Sequence, residues 1–182
     1  MLGKIFEHHY KELYFYGLKL VHVQDLVKDT IQDVFENIWD RRTKMQDVVN
    51  IKAYLFVSLR RELLRRVEKL RKESGFEQVV VEPFVFSDED FIVKEESDSR
   101  MTKVLVKSLS QLTERQREAV LLRFNHEMEF PDMAAVLDMN VQSVRNLLFR
   151  ALEHLRKDMK SFGIEGPTDV EIFLFSLFQK KK

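Results

Sequence analysis

Apolar residues recur at helical spacing through the first seventy positions of the chain. They form three stripes, in residues 4–21, 25–39 and 51–70. The second and third stripes are the most regular, and they consist of Val27, Ile31, Val34, Phe35, Ile38 and Trp39, and of Ile51, Leu55, Leu59, Leu63 and Val67. Because polar residues occupy the remaining faces, the pattern predicts three amphipathic helices that pack by one side.

The helical pattern breaks between residues 74 and 100. This segment contains Gly75, Pro83, three valines at 79–81 and an acidic cluster at 88–90. We interpret it as an extended linker with apolar anchor points, because irregular loops of this length are uncommon inside compact domains. An acidic loop on a single domain is the alternative that composition leaves open.

Helical signals return after Met101 and end in a short helix, a tight turn and a longer helix at 130–157. Pro131 suits the first turn of the short helix, and Asn140 suits the N-cap of the longer one. The adjacent alanines at 134–135 allow a close crossing of the two helices. This arrangement is typical of the helix-turn-helix motif, and we expect the whole chain to be all-α.

The longer helix of this motif has an outward face suited to DNA. Gln142, Arg145 and Asn146 are candidate base contacts, since arginine pairs bidentately with guanine and the two amides pair with adenine. Phosphate contacts position a helix without selecting a sequence, and the candidates for them are Ser143, Arg150 and Arg156. An ordinary helical hairpin with a solvated polar face is the alternative.

A basic stretch at residues 60–72 ends the third predicted helix. Seven of its thirteen residues are lysine or arginine. Arg61, Arg65, Lys69 and Lys72 share one face, opposite the apolar stripe. Such a helix suits nucleic-acid phosphates. The alternative is a solvated helix end, because cations near a helix C-terminus also interact favourably with the helix dipole.

The charge distribution favours two domains over one. The 182 residues include 30 basic and 30 acidic residues, so the formal net charge is zero. Residues 1–72 have 15 basic and 10 acidic residues, residues 73–100 have 2 and 9, and residues 101–160 have 10 and 8. Two mildly basic segments around an acidic one are typical of separate domains joined by a linker.

Nothing in the sequence predicts an enzyme or a bound cofactor. The five histidines lack the spacing of a metal site, and the five glycines form no phosphate-binding loop. The absence of cysteine excludes disulfides and thiolate nucleophiles. Since no apolar run approaches the ~18 residues of a membrane span and no leader opens the chain, we expect a cytoplasmic protein without stable membrane insertion.

The order of these features resembles the extracytoplasmic-function (ECF) sigma factors of bacterial RNA polymerase. The resemblance rests on DTIQDVFENIWDRR at 29–42, on NIKAYLFVSLRRELLRR at 50–66 and on LTERQREAVLLRFNHEMEFPDMAAVLDMNVQSVRNLLFRALEHLRK at 112–157. It spans roughly residues 4–160. Two matches in the order and spacing of one family are more specific than a single helix-turn-helix.

The resemblance implies a division of the chain into four parts. These are sigma domain two at 1–73, an acidic linker at 74–100, sigma domain four at 101–160 and an apolar tail at 161–182. The implied function is that of a transcription initiation factor, and its implied partners are core RNA polymerase, promoter DNA and an anti-sigma factor.

Polymerase docking would fall to the acidic face of the second helix. The resemblance assigns this contact to Asp29, Gln32, Asp33, Glu36 and Asn37. The aromatic residues Phe35 and Trp39 of the same helix would mainly pack in the core. The linker would thread near the active-site cleft of the polymerase, where its negative charge would imitate nascent RNA.

Promoter contacts would be divided between the two domains. The residues assigned to the −10 element are Arg60, Arg61, Arg65 and Arg66, which would hold phosphates beside a pocket for a flipped base. Those assigned to the −35 element are Gln142, Ser143, Arg145, Asn146 and Arg150. Asp138 stands in the turn where the family usually has glycine, and aspartate tolerates a left-handed backbone better than most residues.

The tail and the function each leave alternatives. The apolar run VEIFLFSLFQKKK at 170–182 is expected to form a helix packed on the core or between domains. Its alternatives are a docking segment for a partner, such as an anti-sigma factor, and a weak membrane-surface attachment.

The alternative function is a helix-turn-helix repressor or a helical adaptor that acts without polymerase. A repressor needs no polymerase-docking helix, so the first domain discriminates between them.

Overall fold

The computed structural model describes residues 2–43, 48–74, 84–87, 90–91, 96–163 and 166–179. Their α-helices are α1 (Leu2–Val21), α2 (Gln24–Asp40), α3 (Ile51–Ser74), α4 (Glu96–Gln111), α5 (Glu114–Val120), α6 (Phe130–Leu137), α7 (Val141–Met159) and α8 (Pro167–Gln179). A π-helical turn, Leu121–Asn125, continues α5. These residues include no strand, and the all-α expectation is confirmed.

The chain divides into two compact units, Met1–Pro83 and Phe84–Lys182. In the first unit, α1, α2 and α3 pack against one another. Its core combines residues of the predicted apolar stripes with the neighbouring aromatic residues Tyr16 and Phe56. Its members that are at most 1% exposed include Leu13, Tyr16, Ile31, Leu55, Phe56, Leu59 and Leu63. Burial of a side chain of this size stabilises a fold by about 1.5–3 kcal/mol.

Gly17 sets how closely α1 approaches α2. A Cβ atom added there would lie 2.6 Å from Cγ1 of Val27 and 3.4 Å from a methyl group of Leu63. A side chain at position 17 would therefore collide with Val27, and glycine allows α1 and α2 to pack closely.

The second unit contains a core of α4–α7. Thr113 and Gln116 form a capping box at the start of α5. Arg117 is buried and its guanidinium donates to carbonyl oxygens at the end of α4, those of Ser110, at 2.9 Å, and Leu112. Burial lowers the pKa of Arg117. This side chain therefore holds α5 against the end of α4, and α6 and α7 pack on α5.

The turn between α6 and α7 has the geometry that the motif requires. Asp138 adopts a left-handed conformation, with φ 53° and ψ 54°, and the N–H of Met139 donates to the carbonyl of Ala134 at 3.0 Å. Asn140 then caps α7, because its Oδ1 accepts from the N–H of Ser143 at 2.7 Å. The start of α7 is thereby fixed in direction.

The predicted linker lies partly outside the described residues, at 75–83, 88–89 and 92–95. Its apolar anchor points include Phe84, Phe86 and Phe91, which are at most 4% exposed within the second unit. The helix α4 begins at Glu96, five residues before the expected boundary.

The tail forms α8, which packs on α7 and on the π-helical turn. Val170, Leu174, Leu177 and Phe178 are buried, and the ring of Phe178 lies 5.2 Å from that of Phe91. The tail is therefore a helix packed on the core, as expected, although the three terminal lysines lie outside the described residues. None of the described helices has the length and apolar character needed to cross a membrane.

Candidate nucleic-acid and partner surfaces

The outward face of α7 contains the side chains predicted to contact the −35 element. Gln142, Arg145, Asn146 and Arg150 are exposed and Ser143 is half-buried. The helix buries its opposite face through Val144, Leu148, Ala151, Leu152 and Leu155. The 3.6-residue period thus separates the residues that hold α7 in place from those free to face a ligand.

The exposed polar groups of α7 contact one another and an aromatic ring. Nε2 of Gln142 donates to Oδ1 of Asn146 at 3.0 Å. The guanidinium carbon of Arg145 lies 5.3 Å from the centre of the Phe130 ring. The sequence from 139 to 152 contains no carboxylate. This face is therefore cationic and rich in hydrogen-bonding groups, a combination suited to base edges.

The basic face of α3 is organised differently, because carboxylates lie among its cations. Arg65 donates to both oxygens of Glu62, at 2.9 and 2.6 Å, and Nε of Arg66 donates to Glu62 at 2.7 Å. A second nitrogen of Arg66 pairs with Asp33 of α2. The hydrogen bonds from Arg65 and then Arg66 lower the pKa of Glu62 to about 2.

The cations of α3 predicted to contact the −10 element differ in their surroundings. Arg61 and Arg65 are exposed, whereas Arg60 and Arg66 are half-buried. Arg66 is held on both sides, by Glu62 and by Asp33. The connection before α3 is expected to approach the same promoter element, but its residues 44–47 lie outside the described residues.

The polar face of α2 contains the residues predicted to contact polymerase. Asp29, Gln32, Glu36 and Asn37 are exposed and Asp33 is half-buried. Gln32 donates to Glu36 at 2.8 Å, and the amide of Asn37 donates to the backbone oxygen of Asp33 at 2.8 Å. The pairing of Asp33 with Arg66 brings the predicted polymerase surface and the predicted −10 surface into contact.

The expected packing of the two aromatic residues of α2 is correct for Phe35 and wrong for Trp39. Phe35 is 5% exposed, but Trp39 is 53% exposed. Trp39 lies in the last turn of α2, where the ring faces Arg42 at 4.7 Å. Together with Phe6, Gln32, Phe35, Glu36 and Asp40, it lines a cleft of about 360 Å³. An aromatic ring therefore lies beside the acidic face.

A second cleft lies between α2 and α3. It has a volume of about 410 Å³, and its lining residues are Val34, Asn37, Arg41, Tyr54, Val57, Ser58, Arg61 and Glu62. The combination of a tyrosine, two arginines and an amide offers stacking, charge and hydrogen bonds in one place. Asn37 and Arg61 were predicted from the sequence. Arg41 and Tyr54 were missed, because Arg41 follows the end of α2 while Tyr54 lies in α3, and no periodicity relates them.

Two families of known proteins match this chain. The family model described as Sigma-70 region 2 matches residues 5–73, and the one described as Sigma-70, region 4, matches residues 103–155. The first match contains α2 and nearly all of α3, and the second contains α6 and most of α7. Together the two matches cover about two thirds of the chain, in the order in which its units occur.

Individual proteins agree with these matches. The RNA polymerase sigma factor SigV of Bacillus subtilis (strain 168) is 24% identical over 153 residues, which are 81% of this chain and 84% of that protein. The co-crystal structure of the sigma factor RpoE in complex with the anti-sigma factor NepR from Bartonella quintana has a TM-score of 0.60 and 23% identity. That likeness covers 87% of this chain and 96% of the other, and it shows that the fold is shared.

Proposed function

Because the chain belongs to the ECF group of sigma-70 factors and directs RNA polymerase to promoters, we propose that α2 docks on polymerase while α3 and α7 contact promoter DNA. The observation that carries this assignment is the position of α2, α3 and α7 within two family matches in the expected order. The chain is not an enzyme. Its contribution is to direct RNA polymerase, which is the enzyme, to particular promoters.

The polymerase contact in this proposal is made by the acidic face of α2. Asp29, Gln32 and Glu36 are exposed and available to a basic partner, whereas Asp33 shares its charge with Arg66. Asn37 adds an exposed amide at the edge of the same face. Trp39 supplies the apolar area that charged groups lack, and aromatic residues are enriched where protein interfaces are energetically strongest.

The −10 contact in this proposal combines the basic face of α3 with the cleft between α2 and α3. Arg60, Arg61, Arg65 and Arg66 would hold phosphates. Tyr54 and Arg61 line a cleft of about 410 Å³, in which an unstacked base could stack and form hydrogen bonds. Unstacking a base costs a few kcal/mol, and contacts inside the cleft would offset that cost.

The −35 contact in this proposal is made by α7. Arg145, Gln142 and Asn146 would contact base edges, and Ser143 and Arg150 would contact phosphates. The Asn140 cap and the left-handed Asp138 hold the N-terminal half of α7 in place. The residues nearest to this fixed end are therefore those proposed to discriminate between bases.

We propose that the protein acts in the cytoplasm, where polymerase meets DNA. The segment 74–100 would approach the catalytic cleft of polymerase, since its charge imitates that of RNA. An anti-sigma factor is proposed as a regulatory partner, because the similar RpoE structure contains one.

Transcription with purified core polymerase on a promoter library tests the function. Specific initiation is expected only when this chain is present, and the chain alone should bind duplex DNA poorly. If the free chain bound one duplex sequence tightly and had no effect on polymerase, a repressor would be the correct interpretation.

Two charge reversals on α2 test the docking surface. Asp33→Arg and Asp29→Arg should both weaken binding to core polymerase, measured by titration of labelled protein. Only Asp33 also pairs with Arg66, so Asp29→Arg is the matched variant that leaves this pair intact. If Asp33→Arg weakened binding and Asp29→Arg did not, loss of the contact between α2 and α3 would be the cause.

A further inference from the structure

The ring of Phe130 lies close to two guanidinium groups. The guanidinium carbons of Arg123 and Arg145 are each 5.3 Å from the centre of this ring. Arg145 is the arginine of α7 proposed to contact a base, whereas Arg123 belongs to the π-helical turn after α5. Phe130 is the first residue of α6 and is half-buried. The ring thus connects the π-helical turn, through Arg123, to the exposed face of α7, through Arg145.

Several contacts hold the side chain of Arg123 in the π-helical turn. Nη1 of Arg123 donates to the carbonyl of Met128 at 2.9 Å and to Glu129 at 3.1 Å. Phe175 of α8 lies 5.8 Å from the Arg123 guanidinium and 4.8 Å from the ring of Phe124. Arg123 therefore contacts two aromatic rings and a backbone carbonyl, and its charge is partly neutralised by Glu129.

The position of the Phe130 ring matters because the guanidinium of Arg145 must be correctly oriented to recognise a base. Bidentate pairing with guanine requires the guanidinium plane to be aligned with the base edge. An exposed arginine samples many rotamers, and an aromatic ring beside it restricts them through a cation–π contact. Without a carboxylate at 139–152, Arg145 has no acidic neighbour on its own helix segment that would do the same.

We propose that Phe130 is a positioning residue for Arg145, and that it sets how sharply the protein discriminates at the −35 base that Arg145 contacts. This inference rests on the proposed function of α7. Arg123 contacts the same ring, and Phe175 of α8 lies beside Arg123.

Initiation by holoenzyme formed with the full chain, on a library randomised in the −35 element, provides the test. Phe130→Leu should reduce discrimination about threefold at the position where Arg145→Ala relaxes it, and leave the other positions unchanged. Phe130→Tyr keeps an aromatic ring and should retain discrimination. Denaturant unfolding of each variant separates loss of discrimination from loss of folded protein.

The double variant distinguishes positioning from a general structural role. In the Arg145→Ala background, Phe130→Leu should cause no further loss of discrimination. An equal loss in both backgrounds, or an equal decline on every promoter, would overturn the proposal. If Arg145→Ala alone left promoter preference unchanged, the proposed base contact would fail, and the positioning role with it. If Arg145→Ala relaxed preference but Phe130→Leu did not, only the positioning role would fail.

Discussion

The two helices proposed to contact DNA, α3 and α7, begin alike and differ in how their cations are neutralised. Each starts at an asparagine cap: Oδ1 of Asn50 accepts from Ala53 at 3.2 Å, and Oδ1 of Asn140 accepts from Ser143 at 2.7 Å. Along α3, carboxylates three or four residues away pair with the basic residues Arg65, Arg66, Lys69 and Lys72. Along the first half of α7, the sequence provides no carboxylate.

This difference shows that a count of basic residues overstates the positive charge that α3 offers. Seven cations in the stretch 60–72 predict a strong phosphate-binding surface. Glu62 and Asp33 neutralise part of it within the unit. By contrast, Arg145 contacts a neutral ring, and the sequence around it from 139 to 152 has no carboxylate. We infer that α3 is suited to adjustable backbone contacts, and α7 to base recognition.

The largest effect is expected for Arg145→Ala. Loss of a bidentate contact should cost about 1–3 kcal/mol of discrimination at one base pair of the upstream element. Initiation on single-base variants of the −35 element, with purified core polymerase, measures it. Arg150→Ala is the matched control, because a lost phosphate contact should weaken binding to all variants alike. A uniform decline after Arg145→Ala would contradict its base-contacting role.

Glu62→Gln should have the next largest effect, through stability. The carboxylate accepts hydrogen bonds from two arginines, and its loss should lower the free energy of unfolding by about 1–2 kcal/mol. Urea unfolding of the full chain, followed by helical circular dichroism, measures this change. Glu68→Gln is the control, since that exposed pair with Lys72 should contribute far less. Equal effects of the two changes would show that the Glu62 cluster has no special role.

The same cluster predicts how stability depends on pH. The folded pKa of Glu62, about 2, lies below its usual value of 4.5. The stabilisation is therefore complete above the unfolded pKa and is lost as pH falls from roughly 5 to 2. In Glu62→Gln this part of the acid dependence should disappear. An unchanged difference between wild type and variant at pH 6 and pH 2.5 would argue against the pair.

A smaller effect is expected for Arg61→Ala and Arg65→Ala, which should differ in how strongly they change the salt dependence of DNA binding. Arg61 lines the cleft between α2 and α3, whereas Arg65 pairs with Glu62. If Arg61 binds a phosphate, Arg61→Ala should reduce the slope of log affinity against log salt by about one. Arg65→Ala should reduce it by less, because Glu62 already neutralises part of its charge. Holoenzyme binding to promoter DNA over a range of salt concentrations compares them, and equal slopes would contradict the role assigned to Glu62.

Local pattern was sufficient to predict the helices and the exposed faces, but not the contacts between elements. The capping box at Thr113 and the cap at Asn140 follow from residue types at fixed spacing, and both occur. Trp39 continued an apolar stripe, yet it lies in the last turn of α2, where the stripe passes beyond the core. The pairs Asp33–Arg66 and Phe130–Arg145 join residues far apart in the sequence, and helical periodicity contains no information about them.

The smallest effect is expected at the turn that sets the direction of α7, where Asp138→Gly should stabilise the protein by about 0.5 kcal/mol. Asp138 has φ 53°, a conformation that costs an L-residue roughly 1 kcal/mol and glycine almost nothing. Part of that gain is offset by the greater freedom of glycine in the unfolded chain. Asp138→Ala is the informative control, because alanine keeps the penalty and loses the short polar side chain. Urea unfolding should therefore rank glycine above aspartate and aspartate above alanine. Since base contacts by α7 require this turn but not its side chain, −35 preference should be the same in all three proteins; a change in preference would mean that Asp138 itself contacts DNA.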